Sequence, residues 1–471
     1  MENICVKDIA DAVGGRILCG DPSAEVDNIS TDSRVMRGND LFIPIIGEKN
    51  DGHKFIERAF SEGACASFTS EHDEAPEDCR GALIRVDDTV KALQALGRFL
   101  RGRLKLPLIG VTGSVGKTTT REMIACALSA EYRTFKTPAN HNSQIGVPIT
   151  ISEISERDEI GVLELGMSEP GEMSVISQIA RVNCAVMTNI GVAHIENLGS
   201  RENILREKLH IQDGMAEGGT LFVNGDNDLL KTVLPKDGIR LVRFGRNSYN
   251  DCRAEDFRLE DGCAQFTYVQ GEIRVPVKLS VLGEHMMADA LAAMAVACHY
   301  GVSPEKAAEA LAGFTGFKGR QMVMKNHGIT VIDDTYNASP DSMKAALRVL
   351  SSMHSAKRRI AVLSDMLELG EDSARFHRDV GAFAASLHNL NLLVVYGSLA
   401  QGIAKGAFAQ ELSMHGLEKA GEALKIESFA APGDMDEMIE YLKNTLAEGD
   451  AVLFKGSNSM NLRIAAEEFE P

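Results

Sequence analysis

"LPLIGVTGSVGKTTTREMIACAL", residues 106–128, decides how this chain folds. An apolar run stops at a cluster of glycines and a helix-forming stretch follows, which reads as a buried strand, a tight loop and a helix. The ordinary P-loop spacing asks for glycine where this chain has Val111; here the glycines stand at Gly110, Gly113 and Gly116. The loop still aims backbone N–H groups and the positive end of a helix at one point, which is an anion site. Lys117 is expected to neutralise terminal phosphates and Thr118 to offer its hydroxyl to Mg2+. Gly113, Ser114, Gly116 and Thr119 complete the cradle, and ATP is the expected ligand.

Downstream, "EIGVLELG" (159–166), "CAVMTNIG" (184–191) and "GTLFVNG" (219–225) are further apolar strands, separated by amphipathic stretches such as "EMSVISQIA" (172–180). Continuous apolar strands alternating with helices describe a parallel sheet covered on both faces. A second set, "GITVIDD" (328–334), "RRIAVLSD" (358–365), "NLLVVYG" (391–397) and "DAVLFKG" (450–456), predicts a smaller Rossmann-like unit. Upstream, "VKDIADAVGG" (6–15) reads as a short helix closed by glycine, "DLFIPIIG" (40–47) as a buried strand, and "TVKALQALGRFLRGRLKLP" (89–107) as a connecting helix. The expectation is an α/β protein of three domains, 1–85, 86–314 and 315–471, hinged near residues 85 and 315.

The bulk numbers agree. A chain of 471 residues with 44% apolar and 25% charged residues has enough side chains for several cores. A net charge of -18 argues against a general nucleic-acid surface, so any site for an anion must gather its cations locally. Nine scattered cysteines show no metal spacing, and neither a disulfide framework nor a zinc site is expected, which fits a reducing cytosol. No apolar run is long enough to insert in a membrane.

Three residues downstream of the loop could serve a phosphate-bound metal: Glu164 at the end of a strand, His194 after "CAVMTNIG", and Lys208 in the helical "SRENILREKLHI". Spacing alone does not separate these roles from a capping carboxylate, a hydrogen-bonded histidine and a surface lysine.

The loop, with "TPANHNSQIGVP" (137–148), "LELGMSEPGEM" (163–173), "TNIGVAHIENLGS" (188–200) and "REKLHI" (206–211), resembles the ATP-dependent Mur ligases of bacterial peptidoglycan synthesis, from about residue 5 to residue 465. "STDSR" (30–34), "DLFIPIIGEKNDGHKF" (40–55), "DDTYNASPDSMKAAL" (333–347) and "DMLELGEDSARFHRDVG" (365–381) favour the branch that joins D-alanyl-D-alanine to UDP-N-acetylmuramoyl-tripeptide. The resemblance implies a UDP-binding first domain, a central P-loop ATPase and a C-terminal Rossmann-like domain in a cytoplasmic bacterial monomer. It further implies an acyl-phosphate intermediate. A branch adding diaminopimelate or lysine, a folylpolyglutamate-synthase-like ligase and a regulatory nucleotide-binding module are the rivals.

Carried over by motif, the resemblance makes Lys117, Lys208, His194 and Glu164 catalytic and assigns two Mg2+ to Thr118, Glu164, His194 and Lys208, the lysine as a CO2-derived carbamate. Arg320, Asp334, Tyr336, Asn337 and Asp289 would join the loop around the nucleotide. Ser33, Arg34, Asp51, Gly52 and His53 would surround the UDP group, where a capped turn and an edge ion pair is the plain alternative. Asn140 and Asn142 would line the central cleft, unless they only form a turn, and Lys455 and Ser457 would face substrate. Asp333 and Asp334 could otherwise be a carboxylate metal pair. Three positions depart from the family pattern: Asp289 and Ser143 stand for asparagines, and Asn458 for an arginine near the incoming carboxylate. A carboxylate only accepts, so Asp289 puts adenine recognition in doubt, and Asn458 does the same for acceptor specificity.

Overall fold

The computed structural model describes residues 1, 3–47, 50–317, 319–415 and 424–470. Three sheets follow one another along the chain. The first has the order Arg16–Cys19, Ala82–Arg85, Ala64–Thr69, Asp40–Phe42, Asn28–Ser30, with only its Arg16–Cys19 edge antiparallel. Of the expected strand over 40–47, only Asp40–Phe42 joins the sheet, and Ile46 forms an isolated bridge with Asp51.

The central sheet starts at Thr134–Lys136 and continues through Ile160–Glu164, Leu108–Thr112, Cys184–Met187, Thr220–Asn224 and Arg240–Gly245, all parallel. It then departs from the expected form. Cys252–Glu260 joins in parallel, and Cys263–Gln270 and Ile273–Leu282 add an antiparallel ribbon. In the last of these, Val275, Val277 and Leu279 are buried between exposed neighbours, the alternation of a strand with one wet face. Asp261 and Gly262, with φ of 49° and 78°, make the tight turn that reverses the chain.

The third sheet runs Met322–Asn326, Ile329–Asp334, Ala451–Lys455, Arg359–Ser364, Leu392–Tyr396, Lys425–Phe429, parallel except at its first strand. Strands of the second and third sheets end in Thr112, Glu164, Asp334 and Lys455, and ligands of such sheets gather at those carboxyl ends.

The junction at residue 85 is braced. One apolar core reaches from Ile4 through Phe68, Leu93, Leu96 and Leu100 to Leu163, Ile179 and Leu230, so the first sheet and one face of the central sheet share it. The connecting helix, Thr89–Arg103, is capped by Asp88, whose carboxylate accepts the N–H groups of Val90 and Lys91. Its buried Arg101 donates to the carbonyls of Ala180, Leu104 and Arg181, where the last carbonyls of the helix Glu172–Ala180 run out of internal donors. The third unit keeps its own two cores. No described helix is long and apolar enough to cross a membrane.

One cysteine expectation is corrected. Cys19 and Cys79 are joined by a disulfide across a separation of 60 residues, and seven other cysteines are free. Pairing of Arg16–Cys19 with Ala82–Arg85 brings the two together, a neighbourhood that linear spacing conceals.

Arg101→Ala strips the donors from several buried acceptors and should cost about 2–4 kcal/mol. Thermal unfolding should show it as a lower midpoint. Arg101→Lys should recover little, because a point ammonium cannot reproduce the guanidinium fork.

Candidate active site

The loop after Leu108–Thr112 owes its shape to its neighbours. Gly113 has φ of 152°, and a Cβ there would sit 1.9 Å from Thr188 Oγ1. Thr188 donates that hydroxyl to the Val115 carbonyl at 2.6 Å, and the N–H groups of Ser114 and Val115 donate to Asn189. The residues after strand Cys184–Met187 thus hold the cradle open. Gly116, at φ of 84°, starts the helix Lys117–Leu128, whose first turn has no side-chain cap. Uncapped N–H groups beside a buried lysine are what a phosphate requires.

Facing the loop across a cleft of about 400 Å³ are Arg320, Asp334, Tyr336, Asn337, Lys455, Ser457 and Asn458 from the third unit. Arg320 reaches Thr118 Oγ1 at 3.3 Å while its guanidinium lies 3.9 Å above the Tyr336 ring. Lys455 donates to Asp334 at 2.6 Å and to the Asn337 carbonyl at 2.9 Å. Asp334 therefore has an ammonium partner, while one oxygen of Asp333 accepts from Thr335. Ser457 accepts the Leu367 N–H at 3.1 Å.

Lys117 donates to the Gly113 carbonyl at 2.9 Å, and burial pushes its pKa down against the pull of Glu164. Lys208, on the helix Arg201–Leu209, is wholly buried and its Nζ has no hydrogen-bond partner. Burial, with Lys117 nearby, holds its pKa well below the ordinary value and so favours the uncharged amine. Glu164 is also buried, but its carboxylate accepts from Arg121 at 3.3 Å and from Asn142 at 2.8 Å. Asn142 thus meets Glu164, whereas Asn140 is exposed in the turn. His194, in a left-handed conformation (φ 63°), lines the cleft and meets Glu368 of the third unit. Among the described residues Ser114 Oγ, His194 Nδ1 and Arg320 Nε, all in the cleft lining, are likewise buried atoms without a hydrogen-bond partner, a pattern that marks sites awaiting a polar ligand.

The remaining candidates lie outside this cleft. Asp51 caps the turn Gly52–Phe55 and accepts from His53, whose Nε2 accepts the Ser70 N–H at 3.0 Å; both imidazole nitrogens are engaged within the first sheet's loops. Ser33 is buried there, and Arg34 is an exposed partner of Asp32. Among the departures, Ser143 accepts the N–H groups of Ile145 and Gly146, a local role that its short hydroxyl explains. Sequence reasoning missed Arg121, Thr188, Asn189 and Glu368. The pair "TN" after a strand was a legible sign for the middle two; Arg121, one turn into a helix, and Glu368 carried none.

Asp289 sits on the helix Met286–His299 and accepts from Thr120 at 2.6 Å, one turn beyond the loop. Burial raises its pKa to about 7. An unfolded aspartate ionises near 3.8, so the folded chain binds the extra proton, and its stability falls as pH rises from about 4 through 7. Asp289→Asn removes that dependence. Its midpoint should exceed the parent's by a few degrees at pH 8 and match it more closely at pH 5, as differential scanning fluorimetry would read. Gly113→Ala, in contrast, should abolish nucleotide binding by displacing the cradle from Thr188, measured by titration calorimetry.

Three family comparisons cover most of the chain: the Mur ligase family catalytic domain over residues 25–101, the Mur ligase middle domain over 111–297, and the Mur ligase glutamate ligase domain over 319–458. The UDP-N-acetylmuramoyl-tripeptide--D-alanyl-D-alanine ligase of Bacillus subtilis is 37% identical over 97% of this chain and 96% of its own. MurF from Acinetobacter baumannii superposes with a TM-score of 0.86 at 29% identity, covering 99% of this chain and 98% of that one. MurF ligase from Thermotoga maritima, solved with ADP, gives 0.79 at 28% identity over 94% and 97%. A three-sheet chain whose glycine loop faces Arg320 and Lys455 of the third unit, matched over nearly its whole length in this way, belongs to the Mur ligase family.

Proposed function

We infer that the chain is an ATP-dependent ligase joining D-alanyl-D-alanine to UDP-N-acetylmuramoyl-tripeptide, with ADP and phosphate as the other products. The observation that carries this reading is the cleft itself. Its floor is a phosphate loop and its opposite wall brings Arg320 within 3.3 Å of Thr118, so one phosphoryl group can be gripped from both sides.

A carboxylate does not form an amide in water because its oxide is a poor leaving group. The tripeptide carboxylate attacks the γ-phosphorus of ATP, the bond to ADP breaks, and an acyl phosphate forms. The dipeptide amine then attacks the acyl carbon, the amine gives up a proton, and phosphate leaves with the bonding electrons. Lys117 exchanges its contact with Gly113 for the γ-phosphoryl oxygens, and Arg320 neutralises the same group from the third unit. Such catalysis is positioning plus charge neutralisation. Closure of the third unit keeps water from the acyl phosphate.

Thr118, Glu164, His194 and a carbamylated Lys208 are the groups suited to hold Mg2+, which supplies Lewis-acid neutralisation of the phosphate oxygens. The fit rests on Lys208. A buried, unpartnered, neutral amine adds readily to CO2, loses a proton and becomes an anion beside the Lys117 cation. Glu164 must exchange Arg121 for the metal. Asp289, Asp334, Tyr336 and Asn337 take the nucleoside end, while Asn142, Lys455 and Ser457 serve the peptide substrates. Ser33, Arg34, Asp51, Gly52 and His53 hold the UDP end, with Asn140 at the cleft's edge. Domains of 1–85, 86–314 and 315–471 suit the three sheets. A monomer of the bacterial cytoplasm, where such precursors are assembled, belongs to the same reading.

Phosphate release with UDP-N-acetylmuramoyl-tripeptide and ATP should depend on D-alanyl-D-alanine. Release that ignores the dipeptide would overturn the assignment in favour of a nucleotide switch. Lys117→Ala should lower kcat by about a hundredfold or more, as removal of a preorganised charge in a dry site does. Incubation with 13C-bicarbonate should give a carbamate carbon resonance that Lys208→Ala lacks.

A further inference from the structure

We propose that Glu368 is a positioning residue of this ligase: it crosses the cleft from the third unit and sets the imidazole of His194 toward the phosphates. The inference rests on the reading of His194 as a group of the phosphate site. His194 Nδ1 lies 2.5 Å from Glu368 Oε2, although the two residues belong to different sheets and stand 174 positions apart by their numbers, 368 less 194. The approach falls outside hydrogen-bond geometry, and among the described residues Nδ1 has no formed hydrogen bond; a turn of the ring that lets Nδ1–H donate to this carboxylate leaves the Nε2 lone pair for the cleft. A carboxylate behind a ligating histidine fixes its tautomer in this way.

The geometry around the pair is built, not incidental. Both residues occupy the left-handed region, Glu368 at φ of 61° and His194 at 63°, a conformation that side chains avoid unless their surroundings enforce it. The enforcement is visible on the Glu368 side. Its loop is tied down by the Met366 N–H donating to buried His377 Nε2 at 3.0 Å, whose Nδ1 donates to the Ser373 carbonyl at 2.7 Å. The Leu367 N–H donates to Ser457 in the cleft wall, and Asp365 accepts the Ala400 N–H at 2.6 Å. Gly370 then passes against the backbone of Glu196, two residues beyond His194.

Stability does not account for this arrangement. The Glu368 side chain is about half exposed, and an ion pair so wet contributes little to folding. Contact with His194 nonetheless holds the Glu368 carboxyl below its ordinary range. Two strained residues meeting across a movable cleft instead make one event depend on another. Until the third unit arrives, the imidazole lacks the partner that orients it. The phosphate site is therefore complete only when the cleft that excludes water is closed.

The test uses the full chain with Glu368→Ala, Glu368→Gln and His194→Ala, read by 15N spectra of labelled histidine at pH 8.5 and by steady-state kinetics. In the parent, His194 should be the Nδ1–H tautomer; in Glu368→Ala it should become a mixture. The same change should lower kcat by about tenfold or more and move KM for ATP much less, the scale seen when the partner that orients a ligating histidine is lost. Glu368→Gln, whose amide oxygen still accepts from Nδ1–H, should restore the tautomer and most of kcat. An unchanged imidazole spectrum, or an unchanged kcat, in Glu368→Ala overturns the proposal. His194→Ala separates the two ways to fail. Full turnover without the imidazole discards His194 as a phosphate-site group and Glu368 with it, whereas a crippled His194→Ala beside an unimpaired Glu368→Ala discards Glu368 alone.

Discussion

Desolvated positive charge is the constraint on which the rest of this structure turns. The chain carries a net charge of -18, yet it gathers Lys117, Lys208, Arg320 and Lys455 in one region, Lys208 and Lys455 fully buried and Lys117 and Arg320 half-buried. Burial pushes the pKa of each downward, so the protein bears a desolvation cost that no surface lysine meets. Only Lys455 has a carboxylate within bonding distance, Asp334, among the described residues. Such an arrangement makes sense around a polyanion. It also explains why an acidic protein can bind a nucleotide triphosphate: the local field, not the global one, decides.

The sheets exist to hold those cations where they are. The central sheet delivers Lys117 on a helix that follows one strand, and the loop after that strand's neighbour in the sheet, Cys184–Met187, braces it through Thr188 and Asn189. The third sheet delivers Lys455 at the end of a strand and Arg320 just before another. The shared core between the first and central sheets, with Arg101 as its clamp, leaves relative motion to the connection near residue 315. That connection is where closure has to happen if Arg320 is to meet a phosphate lying over Thr118.

Much of this was legible. The strand–loop–helix at 106–128, the alternating apolar strands and the helix 89–103 follow from periodicity and glycine placement, because those signals are local. The antiparallel ribbon at 252–282 was not read, although Asp261-Gly262 announces a tight turn, because charged residues on its wet face obscure the alternation. The disulfide between Cys19 and Cys79 and the pairing of His194 with Glu368 depend on which strands lie side by side, and no spacing reports that. Asp51 and His53 show the opposite case. Their motif was visible, and the structure accounts for both imidazole nitrogens by contacts within the protein.

The cleft as it stands is neutralised from within, and this shapes what a ligand must do. Lys117 leans on the Gly113 carbonyl, Glu164 is held by Arg121 and Asn142, and Lys455 is held by Asp334. On the proposed reading each contact stands in for one that phosphate, metal or, at Lys455, a peptide substrate would make, so binding would be an exchange of partners in a dry environment rather than the filling of a vacant charge pattern. Exchange limits the net gain from any single ion pair, since the old contact is lost as the new one forms. It also supplies discrimination. A monoanion can satisfy Lys117 but cannot release Glu164 from Arg121, whereas a triphosphate with its cation replaces both partners at once. Selectivity for the full nucleotide complex then arises from the number of internal pairs that must be broken together, and the closed third unit, through Arg320, adds the last of them.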